Sequence, residues 1–138
     1  ISFRLYGDIQ KMEGLWQSVF VAFAGFKNEL LTIGGEISYK SNIDNVNGHH
    51  AWGISTTNAI RLTDKLEYFF RYDFISSVVA DHETIKWNYL KDGNFLVTGV
   101  QYILSPNAKI ALDYQGRYPY SSDVMSTDMI FLNLLFKF

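Results

Sequence analysis

Charged residues recur along this 138-residue chain at spacings that could place them on one surface. Arg71 and Asp73 are two positions apart, and Lys109, Asp113 and Arg117 follow one another at intervals of four. Since successive side chains of a β-strand point to opposite faces, residues at even spacing share a face. Opposite charges arranged in this way can pair with one another or face water together. The residues that we predict to share this polar surface are Arg4, Asp8, Glu36, Lys40, Arg61, Glu67, Arg71, Asp73, Lys109, Asp113, Arg117 and Lys137.

Histidine and aspartate residues in two polar segments are the best candidates for a metal site. His49 and His50 lie in one segment, and Asp81 and His82 lie in another. Imidazole and carboxylate groups bind transition metals. However, the two segments would have to meet, and neighbouring residues on a strand point apart. Solvated loop residues are the simpler interpretation, so we predict no metal ligands and no cofactor.

The chain offers no convincing arrangement for catalysis. Ser121, Ser122 and Asp123 would need a nearby base and an oriented nucleophile to act as a hydrolase, and nothing in their spacing favours this. The formal net charge of −2 leaves no excess of basic residues of the kind that nucleic acid requires. We therefore predict neither an enzyme nor a nucleic-acid-binding protein.

The composition is typical of β-structure. Aromatic residues make up 17% of the chain, proline occurs only twice, and the absence of cysteine excludes disulfides. No apolar segment approaches the roughly 18 residues that a membrane-spanning helix needs. The chain begins with Ile1 instead of Met, so we expect a processed or truncated product.

Alternation of apolar and polar residues predicts eight strands within a single domain. The predicted strands are 2–10, 15–27, 31–41, 51–62, 66–77, 95–104, 108–118 and 129–138. Tight turns at 27–29, 63–65 and 105–107 alternate with longer polar loops at 42–50, 78–94 and 119–128, and residues 11–14 form a short exception. Each strand is about as long as the ~9–11 residues that a tilted strand needs to cross a bilayer.

Each predicted strand keeps its charges on one face, away from its ends, and two opposite environments would explain this. A soluble barrel or sandwich buries the apolar face, whereas a membrane barrel turns that face to lipid and lines its lumen with the polar face. We favour the membrane barrel because one face lacks charge over the length of a bilayer, and because aromatic residues gather near strand ends. These interfacial aromatic residues are Trp16, Tyr39, Trp52, Tyr72, Tyr118 and Phe138. A soluble lipocalin-like binding barrel is a less favoured alternative.

Several short motifs resemble those of porin-like bacterial outer-membrane β-barrels. They include residues 34–39, residues 99–102 and the C-terminal segment 132–138, which ends on an aromatic residue. The resemblance implies an antiparallel transmembrane β-barrel in the outer membrane of a Gram-negative bacterium. Short turns lie in the periplasm in such barrels, so both termini are expected on the periplasmic side. The implied partners are outer-membrane lipid and, through the C-terminal strand, the barrel-assembly machinery.

The size of the predicted barrel stays open. Bulky residues that we place on the inner face favour eight strands that close alone around a filled interior. These residues are Phe20, Phe26, Phe69, Phe131 and Leu135. The resemblance instead implies the C-terminal half of a larger barrel, with a missing N-terminal half as its partner. We expect a channel for passive diffusion of small polar solutes. The alternative is a non-conducting barrel that acts as a structural anchor or as a subunit of a complex with other envelope proteins.

Overall fold

Eight long antiparallel strands form one sheet in the computed structural model, which describes residues 1–137. The strands are β1 (Ser2–Met12), β2 (Leu15–Lys27), β3 (Leu31–Ser41), β4 (Ala51–Arg61), β5 (Leu66–Ser77), β6 (Gly93–Ser105), β7 (Ala108–Pro119) and β8 (Thr127–Phe136). A single 3₁₀ turn, Ile43–Asn45, is the only helical element of the described residues. The all-β prediction is confirmed, with strand bounds that shift by no more than two residues.

Each strand pairs with its neighbours in sequence, so the sheet is an antiparallel meander in the order β1 to β8. Among residues 1–137, β1 pairs only with β2 and β8 pairs only with β7, which leaves this sheet open at both edges. The prediction that eight strands close alone is therefore wrong for the described residues. Completion by further strands stays a prediction.

Local side-chain chemistry explains the tight turns. Asn28, Thr63 and Ser105 each accept a hydrogen bond from a backbone N–H two residues later, as Asn, Ser and Thr do in turns. Glu13 and Gly14 join β1 to β2 with positive φ angles of 49° and 92°. A two-residue hairpin whose central residues both have positive φ matches the right-handed twist of its strands. All four turns lie at strand ends that the sequence alone located.

The register sorts the strand residues onto two faces, because directly opposite residues in an antiparallel pair point the same way. We call one the apolar face, whose central row runs through Leu5, Ala22, Ile37, Ile54, Phe74, Asn94 and Tyr118. The other is the charged face, whose central row runs through Arg4, Phe23, Glu36, Ser55, Asp73, Phe95, Arg117 and Thr127. Within the eight strands, the apolar face carries only two charges, Lys11 and Asp128, and both lie at strand ends. The predicted segregation of charge is confirmed across the sheet.

No second layer covers the apolar face within residues 1–137. Leu5 is 88% exposed, Leu132 is 67% exposed and Leu112, near the middle of β7, is 52% exposed. The few buried residues are small or polar, for example Ala51, Ser77 and Asp92. Most of them lie at the long-loop end of the sheet, where segments 42–50, 78–92 and 120–126 connect the strands, whereas Asp113 lies near the middle of β7.

Two residues lie on the face opposite to the predicted one. Phe20 is directly opposite Tyr39, and Phe26 is directly opposite Ile33, so both belong to the apolar face. Their placement on the inner face was wrong because both faces of β2 are rich in apolar residues, which leaves its parity undetermined from sequence. Phe69 and Phe131 lie on the charged face as predicted.

Candidate functional site

The charged face gathers the residues that the sequence singled out. The strands place the first eleven of them on this face, namely Arg4, Asp8, Glu36, Lys40, Arg61, Glu67, Arg71, Asp73, Lys109, Asp113 and Arg117. Lys137 follows β8, and its backbone N–H donates to the carbonyl of Asn107 at 2.9 Å. The site is thus an extended surface that spans the sheet, and not a compact cluster.

One predicted ion pair forms at the centre of this face. Arg71 Nε lies 2.9 Å from Asp73 Oδ2 and 3.0 Å from Asp73 Oδ1. Ser55, directly opposite Asp73, donates its hydroxyl to Asp73 Oδ1 at 2.5 Å. The carboxylate is therefore held by one cation and one hydroxyl, while the Arg71 guanidinium keeps further N–H donors free of Asp73.

Neutral amides, and not cations, hold the carboxylates of Glu67 and Asp113. Asp113, only 4% exposed, accepts hydrogen bonds from the amides of Gln115 at 2.9 Å and Asn133 at 2.5 Å. Glu67 accepts from the amide of Gln101, its direct partner across β5 and β6, at 2.5 Å. Among the described residues, Lys109 and Arg117 form no ion pair with Asp113, so their spacing predicts a shared face and not a contact.

Aromatic rings interrupt the charged face. The guanidinium of Arg4 lies 5.8 Å from the ring centroid of Phe23, within reach of a cation–π interaction. Phe23 lies across Gly25 and Gly34, where an added Cβ would meet its ring at 2.9 Å and 3.1 Å. These glycines leave room for the ring to lie flat on the sheet. Sequence reasoning missed Phe23 because β2 has no charge before Lys27, at its end, to mark its polar side.

Segment 78–92 reaches onto the charged face at the long-loop end. A pocket of about 440 Å³ lies there, and its lining includes Lys40, Arg71 and Asp73 from the sheet together with Trp87 and Lys91 from the segment. A second pocket of about 260 Å³ adjoins it, with Lys91 and Arg117 in its lining. Acidic and basic groups share these walls, so the surface can contact solutes of either charge.

Loops 42–50 and 78–92 meet through aromatic contacts. His49 stacks on Trp87, with ring centroids 4.4 Å apart and an interplanar angle of 9°. Trp87 Nε1 donates to the carbonyl of His50 at 2.8 Å, and His49 Nε2 lies 3.9 Å from Glu83 Oε1. Although the loops meet, no group of three or more His, Cys, Asp or Glu within residues 1–137 could hold a metal ion.

A buried aspartate anchors segment 78–92 to β5. Asp92 is fully buried, and its Oδ2 accepts from the backbone N–H of Ser77 at 2.8 Å and from its hydroxyl at 2.6 Å. Gly93 follows with a φ of 151°, and a Cβ there would lie 2.4 Å from the carbonyl oxygen of Tyr118. Partial burial also raises the pKa of nearby Tyr120, whose ring centroid lies 5.9 Å from the ammonium of Lys86. Sequence reasoning missed Asp92, because an Asp-Gly pair is typical of an exposed turn.

Aromatic residues form a band on the apolar face toward the long-loop end. Trp16, Tyr39, Trp52, Tyr72 and Tyr118 all lie on this face. Trp52 packs on Phe74 with ring centroids 4.8 Å apart, and Tyr72 donates its hydroxyl to Asn94 at 2.6 Å. Phe138, also predicted as interfacial, lies outside the described residues.

Tyrosine hydroxyls donate hydrogen bonds to one carboxylate on the apolar face. Asp128 accepts hydrogen bonds from the hydroxyls of Tyr114 and Tyr118, the latter at 3.1 Å. The two hydroxyls meet over Gly116, which lies directly opposite Asp128. A side chain at position 116 would occupy the space that both phenols use to reach Asp128.

No protein-family model matches the chain, and no curated protein or solved structure shows significant similarity to it. Within residues 1–137, no helix is both long enough and apolar enough to cross a membrane.

Proposed function

We propose that the chain is part of a bacterial outer-membrane β-barrel whose charged face lines a channel for passive diffusion of small polar solutes. The observation that carries this proposal is the segregation of charge across a single layer of eight hydrogen-bonded antiparallel strands, each of 10 to 13 residues. Strands of ~9–11 residues suffice to cross a bilayer when tilted. In this arrangement the short turns and both termini lie on the periplasmic side.

Exposure of the apolar face supports a lipid environment. Ile37, Leu112 and Leu132 are each more than half exposed, and no described segment packs on them. Contact of this surface with water is unfavourable, whereas contact with acyl chains is not. Transfer of apolar surface from water into an apolar medium is favourable by roughly 25 cal/mol for each Å². The band of Trp and Tyr at the long-loop end of the same face suits the boundary between lipid and water.

Features of the charged face support a role in solute passage. Seven of its predicted residues are basic and five are acidic, so we expect weak preference for anions. Segment 78–92 lies at one end of this face, where Trp87 and Lys91 would narrow an opening. Charged rings in a pore bias which ions pass, and narrow segments limit solute size.

A non-conducting barrel is a second candidate, and one observation favours it. Phe69, Phe95 and Phe131 lie on the charged face together with Leu135, and bulky side chains can fill a narrow interior. Such a barrel would anchor or assemble with other envelope proteins.

Planar-bilayer recording separates the two candidates. Protein refolded in detergent is added to one side, and stepwise current increases are expected if the charged face lines a channel. Replacement of Arg71 and Arg117 by Ser should then reduce the preference for anions, while Lys65→Ser, in a short turn, serves as the control. Protein that inserts into the bilayer without any current steps contradicts the channel and favours the non-conducting barrel.

A further inference from the structure

Both edges of the sheet are unpaired over their full length. β1 spans 11 residues and β8 spans 10, and each presents the backbone groups of one side to no partner among the described residues. In a bilayer, unpaired N–H and C=O groups are costly, so strands that span it form closed sheets. A partner for both edges is therefore required if the proposed membrane location holds, and the inference that follows rests on that proposed function.

The two edges run in opposite directions. β1 begins at the short-turn end and finishes at the long-loop end. β8 runs the opposite way, because the chain direction reverses from each strand to the next and six strands lie between β1 and β8. An edge like β8 can therefore pair with an edge like β1 in the same antiparallel manner as every other pair of the sheet. The apolar face of one would continue the apolar face of the other.

The two charges of the apolar face sit on these two edges. Lys11 lies on β1 and Asp128 lies on β8, and both are at the long-loop end. The ammonium of Lys11 is 5.5 Å from the ring centroid of Trp16, and Asp128 is held by Tyr114 and Tyr118. The inner six strands carry no charge on this face, so opposite charges occur only where the two edges could meet.

Pairing Lys11 with Asp128 fixes a register that suits both edges. It places Ile9 opposite Ile130, Leu5 opposite Leu134 and Phe3 opposite Phe136, with Leu132 facing Gly7. It also aligns the ends of the two strands, because Met12 then faces Thr127. A shift by two residues would remove Asp128 from Lys11 and leave strand ends unpaired.

We propose that a second copy of this chain closes the barrel, with β8 of each copy paired to β1 of the other in this register. The sheet formed by the described residues of one chain is open, so its two edges do not meet within one copy. A second copy presents the same complementary edges. The described strands of two copies related by a two-fold axis along the barrel number sixteen, about the number at which a barrel encloses an aqueous channel. The lumen is then complete only in the dimer.

Disulfide cross-linking tests the seam, since the chain has no cysteine of its own. Gln10→Cys and Met129→Cys, introduced together, place one cysteine on each edge at directly opposite positions of the proposed register. Opposite Cα atoms in antiparallel strands are about 4.5–5.5 Å apart, within the range that a disulfide spans. The control combines Gln10→Cys with Phe131→Cys, which shifts the register by two on the same face. The protein is refolded into lipid vesicles, floated on a density gradient, oxidised and analysed on a non-reducing gel.

A covalent dimer in the floating fraction, formed roughly fivefold more with the first pair than with the control, is expected because diagonal neighbours are too far apart for a relaxed disulfide. A monomer with an internal disulfide would overturn the second copy but keep the barrel, and a ladder of higher oligomers would overturn closure by two copies. Floating protein without any disulfide would overturn the seam. Protein that does not float contradicts the proposed function itself, and with it the seam.

Charge exchange gives an independent measurement on the same cross-linking background. Lys11→Glu or Asp128→Lys alone places like charges opposite each other, so the dimer yield should fall. Both changes in one chain restore opposite charges, and the yield should recover. Equal yields in all four proteins would contradict the proposed register.

Discussion

Asp113 is a buried carboxylate whose partners depend on the register of the sheet. Its position four residues from Lys109 and from Arg117 predicts a shared face, and the structure confirms that face. Its hydrogen bonds instead come from Gln115 and, across the strand pair, from Asn133. Gln115 lies two residues away on the same strand, so its shared face is visible in the sequence, whereas contact with Asn133 on β8 depends on the register of the sheet, which is not. The same limit explains why the role of Gln101 beside Glu67 was not predicted.

Asn133→Leu should destabilise the protein, because one oxygen of buried Asp113 loses its donor. We expect a loss of about 1–3 kcal/mol in the free energy of unfolding, measured by urea denaturation in detergent micelles. Asn58→Leu is the matched control, since Asn58 lies on the apolar face and its side chain makes no hydrogen bond within the described residues. Equal losses for both variants would contradict the assigned role of Asn133.

Gly93→Ala should also destabilise the protein. Its φ of 151° is rare for residues with a side chain, and the added Cβ would lie 2.4 Å from the carbonyl oxygen of Tyr118. We expect a loss of at least ~1–3 kcal/mol, observed as a lower midpoint in the same urea titration. Gly35→Ala provides the comparison, because a Cβ there meets no atom within 4 Å. An unchanged midpoint for Gly93→Ala would show that this backbone conformation is not required.

Strands are the elements that the sequence predicts best, because both the strands and the turns between them carry local sequence signals. Alternating side chains mark each strand, and Asn28, Thr63 and Ser105 mark the turns through bonds to their own backbone. β2 is the exception, because both of its faces are apolar and its parity follows only from its pairing with β3. The contact between loops 42–50 and 78–92 was not predictable, since it depends on packing of His49 against Trp87.

Trp87→Ala should release segment 78–92 from loop 42–50. The change removes the stack with His49 and the hydrogen bond to the carbonyl of His50. Trypsin cleavage after Lys86 and Lys91 should become several-fold faster, because local opening exposes a segment to protease. Ile85→Ala, at an exposed position of the same segment, should leave the cleavage rate unchanged. If both variants are cleaved at the parental rate, the Trp87 contacts do not hold the segment.

The whole sheet is a single layer with two chemically different sides, and the sequence predicts this division without stating how the sheet is completed. Charge alternation is local and therefore readable, strand by strand. The number of strands in a closed barrel depends on which edge strands pair with each other. The residue pattern within a single strand does not reveal that pairing. The open edges of β1 and β8 accordingly replace the prediction of eight strands that close alone.

The orientation of the sheet can be tested with a lysine on each side of β7. Leu112→Lys places a charge on the apolar face, and a lysine facing mid-bilayer lipid costs roughly 2–4 kcal/mol. Ala111→Lys, one residue away, places the same charge on the opposite side of the sheet, which is the charged face. We expect Leu112→Lys to reduce the fraction of protein that folds into vesicles, measured by flotation, and Ala111→Lys to have little effect. A greater defect for Ala111→Lys would reverse the proposed orientation.

The meander also bears on how the molecule is made. Every strand pairs with the strand that precedes or follows it in the chain, so each pairing forms a hairpin between residues that are close in sequence. The entropic cost of closing such short loops is small. Chains whose contacts are local in sequence therefore fold faster than chains that must bring distant segments together. We therefore expect the sheet to grow by successive addition of hairpins from any starting point, and the joining of its outermost strands to be the slow, concentration-dependent step.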